Sequence, residues 1–370
     1  MKHLIVFAFL LLSNFAIGQQ TLNKSITHDN LQRDYILYVP ASYNANNPVP
    51  LVLCFHGYTS NATVNYQYTN FKAIADTAGF ILIHPQGTLL NGNTHWNVGG
   101  WTTGSTVDDV GFTNALIDSI SSTYSIDPNK IYSTGMSNGG YMSFQLACQL
   151  SNRIAAVASV TGSMTIQTFN NCNPQHPTPI LQIHGTMDAT VPYNGDPTWT
   201  KSIDDVIQYW VNYNNCDPNP STINIANSNL LDNSTVDQFI YSNGDNNVNT
   251  EHFKVYGGGH DWPGVWGNLD MDASIEIWKF FLRYDINGLI TNLEDHAVNE
   301  ITLYPNPTSD VLNIKINSKE NSHYSISDDL GRIIESGTVI NSSKTIPLSS
   351  KKPGLYLLKI QNKVYRIIKT

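Results

Sequence analysis

Charged side chains are scarce in this chain. Asp, Glu, Lys and Arg make up 13% of its 370 residues, about half the usual share. With 19 Tyr and 7 Trp also present, that composition excludes a disordered acidic chain and a coiled coil. It suggests instead the uncharged polar surface of an exported protein. Basic residues are few, 20 against 29 acidic ones, for a net charge of −9. No nucleic-acid partner is expected, because phosphates need a basic face. Four cysteines are too few for a disulfide scaffold in so long a chain. No C-x-x-C pair or Cys/His cluster has metal-ligand spacing, so no metal site is expected. No apolar run reaches the ~20 residues of a membrane span, which excludes stable membrane insertion.

The charge that is present changes sign along the chain. Residues 300–370 hold ten Lys/Arg and six Asp/Glu, whereas residues 1–299 hold the other ten and twenty-three. Such a break predicts two independently built parts. At the N-terminus, Lys2 and His3 precede an apolar run over 4–12, and Ala16-Ile17-Gly18 is a small-x-small site. Residues 1–18 therefore read as a signal peptide, and export permits disulfides. Cys148 and Cys172 flank one expected strand, where a bond would tie a helix to the following loop. Cys54 lies in an apolar strand and reads as a free core thiol. Cys216 would then be unpaired.

The middle alternates between short apolar runs and helical spacing. Runs at 49–55, 80–83, 131–134, 155–160 and 180–184 read as buried strands, and 33–39 and 251–256 as outer ones. Residues 71–78, 110–120 and 141–150 have helical spacing, and Asp108 and Asp109 stand where a helix start favours them. The expectation is a mostly parallel sheet with helices on both faces. Function in such sheets gathers at the C-terminal ends of the strands.

Those ends carry a recognisable pattern. Gly135-Met136-Ser137-Asn138-Gly139 is G-x-S-x-G between a strand and a helix, which lifts a serine hydroxyl clear of the sheet. Serine is a weak nucleophile and needs a base, itself oriented by a carboxylate. In this context the order is Ser, acid, His. Asp188 ends His184-Gly185-Thr186-Met187-Asp188 after one strand, with Asp196 as the fallback, and His260 ends Gly257-Gly258-Gly259-His260 after the last. Ser137, Asp188 and His260 are the expected catalytic residues. The backbone N–H groups of Tyr58 and Asn138 are the expected oxyanion donors. His56 reads as loop packing, and His184, at the strand end beside Asp188, as packing or as support behind that acid. Trp96, Trp101 and Trp262 are candidates for stacking on a substrate ring, although packing within their loops is an equal reading.

Five segments then point to a family: Leu51-Val52-Leu53-Cys54-Phe55-His56-Gly57-Tyr58, Val107-Asp108-Asp109-Val110-Gly111-Phe112, Gly135-Met136-Ser137-Asn138-Gly139-Gly140, His184-Gly185-Thr186-Met187-Asp188 and Gly257-Gly258-Gly259-His260-Asp261-Trp262-Pro263-Gly264. Together they resemble the secreted polyhydroxybutyrate depolymerase/feruloyl esterase family of α/β-hydrolases, over roughly residues 20–285. The resemblance implies a serine esterase without metal or organic cofactor. Its substrates would be feruloyl or acetyl esters of plant cell-wall polysaccharide, with polyesters as the alternative. A non-catalytic glycan-binding protein on the same fold is the alternative of another class.

The tail reads differently. After the polar stretch 287–299, short alternating runs at 311–316, 324–327, 333–337 and 354–360 predict a small β-sandwich over 300–370. Tyr304-Pro305-Asn306-Pro307, Gly354-Leu355-Tyr356 and the basic end Arg366-Ile367-Ile368-Lys369 resemble the C-terminal sorting domain of the type IX secretion system, whose machinery would be its partner. The tail has no Trp and few other exposed aromatics, which disfavours a carbohydrate-binding sandwich.

Overall fold

The computed structural model describes residues 19–290, and 301–369 apart from 307, 317–320, 329–331 and 361–362. The expected signal peptide and residues 291–299 of the expected linker lie outside the described residues. The chain divides into two compact units, Met1–Ile290 and Thr291–Thr370.

The first unit is built on one ten-stranded sheet. Its strands are β1 (Gln20–His28), β2 (Leu31–Val39), β3 (Val49–Phe55), β4 (Ile81–Pro85), β5 (Ile126–Met136), β6 (Ala156–Val160), β7 (Ile180–Gly185), β8 (Ser221–Ile225), β9 (Thr235–Tyr241) and β10 (Thr250–Tyr256). In space they run β1-β2-β4-β3-β5-β6-β7-β10-β9-β8. The six central strands, β4 to β10, pair in parallel. The two outer strands on each side are antiparallel. The sheet is thus mixed, with the expected parallel part at its centre. The edges were harder to foresee. β1 and β8 are mostly exposed and lack the apolar runs that mark a buried strand. The β1–β2 turn has its own signal, Asp29 and Asn30 at φ 48° and 59°, the pair of left-handed residues that a two-residue hairpin requires.

Seven helices flank the sheet: α1 (Ala62–Tyr68), α2 (Phe71–Ala78), α3 (Asp109–Thr123), α4 (Asn138–Gln149), α5 (Ile166–Asn171), α6 (Ile203–Tyr213) and α7 (Ala273–Phe281). Alternation along β3 feeds two cores. Leu51, Leu53 and Phe55 pack with Leu116 of α3, Phe144 of α4 and Trp210 of α6. Val52 and Cys54 pack on the other face with Phe71 of α2 and Ile277 and Phe281 of α7. Side-chain caps fix several helix starts. Asp108, Thr165, Ser202 and Asp272 accept from Gly111, Thr168, Asp205 and Ile275 amides, satisfying donors a helix start leaves open. Cys148, in α4, is bonded to Cys172 just after α5, and Cys54 and Cys216 are buried free thiols.

The second unit holds a three-stranded and a four-stranded antiparallel sheet. Leu312, Ile314 and Ile346 of one share a core with Ile326, Leu358 and Ile367 of the other. Ser343–Pro347 is a strand that pattern reading passes over. It buries one apolar side chain, Ile346, among exposed polar neighbours.

Candidate active site

The serine sits where β5 turns into α4. Ser137 has φ 54° and ψ −119°, a sparsely populated conformation for a residue with a side chain. Its N–H donates to Val160 O (2.8 Å), and its carbonyl accepts from the Tyr141 N–H in α4 (3.0 Å). A Cβ on Gly139 would come within 2.1 Å of Phe55 O. Only glycine therefore lets α4 dock against the end of β3.

The next segment after β3 runs beside this turn. A Cβ on Gly57 would lie 3.5 Å from Ser137 Cβ, so the loop bearing Tyr58 passes alongside the serine. Asn138 N–H belongs to the first turn of α4, where amides have no partner within the helix and the dipole favours negative charge. The buried Asn138 side chain accepts from Trp96 N–H (2.7 Å) and donates to Trp96 O (3.1 Å), while Trp96 Nε1–H donates to His56 O (2.9 Å). His56 Nδ1 contacts Gly57 O (2.7 Å), and its Nε2 accepts from Gly87 N–H (2.9 Å). Burial pushes the His56 pKa down to about 4. A neutral imidazole thus clasps the loop bearing Tyr58.

The acid and base come together because β7 and β10 are parallel neighbours. Met187 N–H donates to Gly258 O (2.8 Å), which joins the two loops directly. His260 Nδ1–H donates to Asp188 Oδ2 (2.8 Å). The other oxygen, Oδ1, accepts from Thr190 and Val191 N–H groups, both at 2.8 Å. Burial alone would raise the Asp188 pKa. Hydrogen bonds from His184 and His260 outweigh it and hold the carboxyl well below its ordinary range. Asp196 uses its Oδ1 within its own turn, accepting from the Thr198 N–H (2.8 Å) and hydroxyl (2.5 Å). The arrangement offers a hydroxyl on a strained turn at a helix start, the loop bearing Tyr58 alongside it, and a carboxylate-oriented imidazole on a neighbouring loop. Those are the parts of an acyl-transfer site. A groove of about 620 Å³ lined by Asn23, Gln32, Asp34 and Gln86 includes none of the three side chains.

The three tryptophans separate. Trp96 and Trp262 are fully buried. Trp96 bridges Asn138 to His56, and Trp262 Nε1–H donates to Ser274 Oγ (3.1 Å). The stacking role expected for these two is corrected to packing, because neither presents a face to solvent. Trp101 is half-buried. Its ring meets Tyr58 edge-on at 5.6 Å and Tyr141 at 5.9 Å, so it stands between the oxyanion loop and the first turn of α4. Sequence reading also missed Asp109's partner. Asp108 is the helix cap, but Asp109 is buried, with Oδ1 on Arg33 Nη2 (2.5 Å) and Oδ2 accepting from Asn97 N–H (2.6 Å). The buried pair anchors the tryptophan loop to β2.

Comparison with known proteins fits this geometry. Residues 42–217 match the phospholipase/carboxylesterase family model. An acetyl xylan esterase from Aspergillus awamori superposes with a TM-score of 0.52 at 16% identity, covering 70% of this chain and 98% of that one. The first unit is therefore an α/β-hydrolase. A probable feruloyl esterase C of Aspergillus oryzae is 30% identical over 72% of this chain and 89% of its own length. The chain belongs to the family of carboxylic ester hydrolases that includes it. A bifunctional acetylxylan esterase/xylanase of Neocallimastix patriciarum is 26% identical over 74% of this chain, which spans 36% of that longer protein. Residues 302–370 match the secretion system C-terminal sorting domain, the type IX signal that directs a protein to secretion or the cell surface. Among the described residues no helix is long and apolar enough to cross a membrane.

Proposed function

We propose that the protein is a secreted serine carboxylesterase that removes feruloyl or acetyl groups from plant cell-wall polysaccharide. The observation that carries this reading is the hydrogen bond from His260 Nδ1 to Asp188 Oδ2, at the sheet edge where Ser137 is held on its strained turn. With Nδ1 committed to the acid, Nε2 is the nitrogen free to take the Ser137 proton. Ser137 Oγ attacks the ester carbonyl, and the Tyr58 and Asn138 amides receive the oxyanion. The alkoxide leaves with the proton held on His260. Water then attacks the acyl-enzyme with His260 again as base, and Ser137 is regenerated.

Trp101 favours an aromatic acyl group over acetyl. It is half-buried beside Tyr58, and Tyr58 is 38% exposed. An aromatic acyl group bound beside Ser137 would find two rings to meet edge-on. Initial rates on methyl ferulate, acetylated xylan, polyhydroxybutyrate film and a p-nitrophenyl acetate control test the reading. Methyl ferulate should lead the natural-type substrates, and Ser137→Ala should abolish turnover. No turnover of any ester by the intact protein would leave a glycan-binding protein on a hydrolase fold.

A further inference from the structure

The acid of the site has a second histidine. His184 is the penultimate residue of β7, four residues before Asp188, and is fully buried. Its Nε2 lies 2.8 Å from Val191 O and 3.3 Å from Asp188 Oδ2. That oxygen is also the one His260 engages.

The protonation of His184 follows from its other side. Gln182 Nε2 is 2.9 Å from Gly162 O and 3.0 Å from His184 Nδ1. A carbonyl cannot donate, so the nitrogen of the Gln182 amide must face Gly162. A flipped amide would set two oxygens against each other. The second Gln182 N–H then points at His184 Nδ1, which must accept. The remaining proton of a neutral His184 is on Nε2, aimed at Val191 O and Asp188 Oδ2. A doubly protonated His184 would put two N–H groups face to face.

We propose that His184 is a positioning residue for the catalytic acid, acting as a fixed neutral donor that shares Asp188 Oδ2 with His260 and tempers how strongly Asp188 holds the His260 proton. The inference rests on the triad reading given above. Two consequences follow from this 3.3 Å contact. Together with the Thr190 and Val191 amides, His184 fixes the carboxylate plane and hence the direction of the His260 ring. It also draws charge from the oxygen that His260 engages. Lys254 is paired with His184 across β7 and β10, and its Nζ lies 4.6 Å from the Tyr193 ring centroid. Tyr193 stacks edge-on to His184 at 6.0 Å and donates to Asp204. His252 is buried, with its pKa lowered by burial to about 4. Tyr141 shares a hydrogen bond with Thr200, and the Asp261 carboxylate accepts from Gly259 N–H.

The full-length protein tests this with His184→Phe, which keeps a planar ring without a donor, and His184→Gln, which restores an N–H. His184→Phe should lower kcat on a soluble ester about tenfold, the low end of what an outer hydrogen-bond partner contributes, with KM little changed. Its kcat/KM profile should have its acid limb moved to higher pH, since Asp188 then pulls harder on the His260 proton. His184→Gln should recover much of both. Loss of kcat with an unmoved acid limb would reduce His184 to packing and overturn the proposal. Histidine nitrogen NMR on the wild-type protein needs no variant to fold. It should show one histidine protonated on Nε2 only, with Nδ1 as acceptor, unchanged across the pH range of activity. Finding this residue protonated on Nδ1, or doubly protonated, would also overturn it. Absence of esterase activity in the wild type would instead count against the triad reading, and the NMR result would stand apart from it.

Discussion

The two units bury their interiors differently. The first buries polar and titratable groups along with its apolar ones, including Arg33, Asp109, His56, His84, His184 and His252. The second is built from antiparallel sheets around a core of Ile, Leu, Val and Tyr, and its described residues bury fewer polar groups, Thr308, Ser322 and Lys369. Its one histidine in 301–369, His323, lies on an exposed strand position. The contrast follows from topology. Parallel strands need long crossovers, so their C-terminal ends gather loops from distant parts of the chain. Antiparallel hairpins join neighbours and bring little together from afar. The unit that gathers distant loops is the one that carries a candidate site, and it does so by burying polar groups that must each be partnered.

The largest effect that could break this contrast is chemical. Asp188→Asn should lower kcat by about 10⁴, as expected when the base loses its orienting carboxylate, while Asp196→Asn should stay near wild type. The reverse outcome would move the acid to the outer turn. Neither substitution should alter the second unit's stability.

Acid should separate the units next. Burial lowers the pKa of His56 and His252 to about 4 and of His84 to about 3, against about 6.5 for a free histidine. Between those values the unfolded chain binds protons that the folded one does not. Stability is therefore undiminished above pH 6.5 and falls as pH drops toward 4. Thermal unfolding from pH 7 to pH 4 should cost the first unit several kcal/mol, with less change in a separate transition of the second. A single transition with one acid dependence would contradict the division.

The tryptophans sharpen the reading within the first unit. Trp96→Ala should destabilise by about 3–5 kcal/mol through the cavity it leaves. Trp101→Ala should leave stability near wild type and raise KM for methyl ferulate about tenfold, with little effect on acetyl esters. Equal effects on both substrates would remove Trp101 from acyl recognition.

The smallest expected effect is that of deleting the second unit. We propose that a chain ending at Ile290 folds alone and keeps its kcat on soluble esters, since the compact unit closes there. In a host with type IX secretion it should accumulate in the periplasm. Fractionation with activity measurements in medium and periplasm tests this. Normal export would count against a sorting role for the tail.

Much of this was legible in the chain itself. Local geometry leaves local marks: the turn that strains Ser137 needs Gly139, and the continuous apolar runs of β3, β6 and β7 report strands covered on both faces. Order along the chain also singled out Asp188 and His260, which follow β7 and β10 and are joined by a hydrogen bond. Partnerships across the chain left no such mark. That Asp109 would meet Arg33, 76 residues away, or that Asn138 would hold Trp96 by its backbone, depends on which strands lie side by side. Trp96, Trp101 and Trp262 are equivalent as letters. Only packing decided that two of them are fully buried and one stands half-buried between Tyr58 and Tyr141, because burial is a property of the neighbours a side chain meets and not of the side chain. Likewise the G-x-S-x-G pattern is written in the sequence, but the shared oxygen of Asp188, with a histidine on either side of it, arises only where β7 and β10 are brought together in parallel.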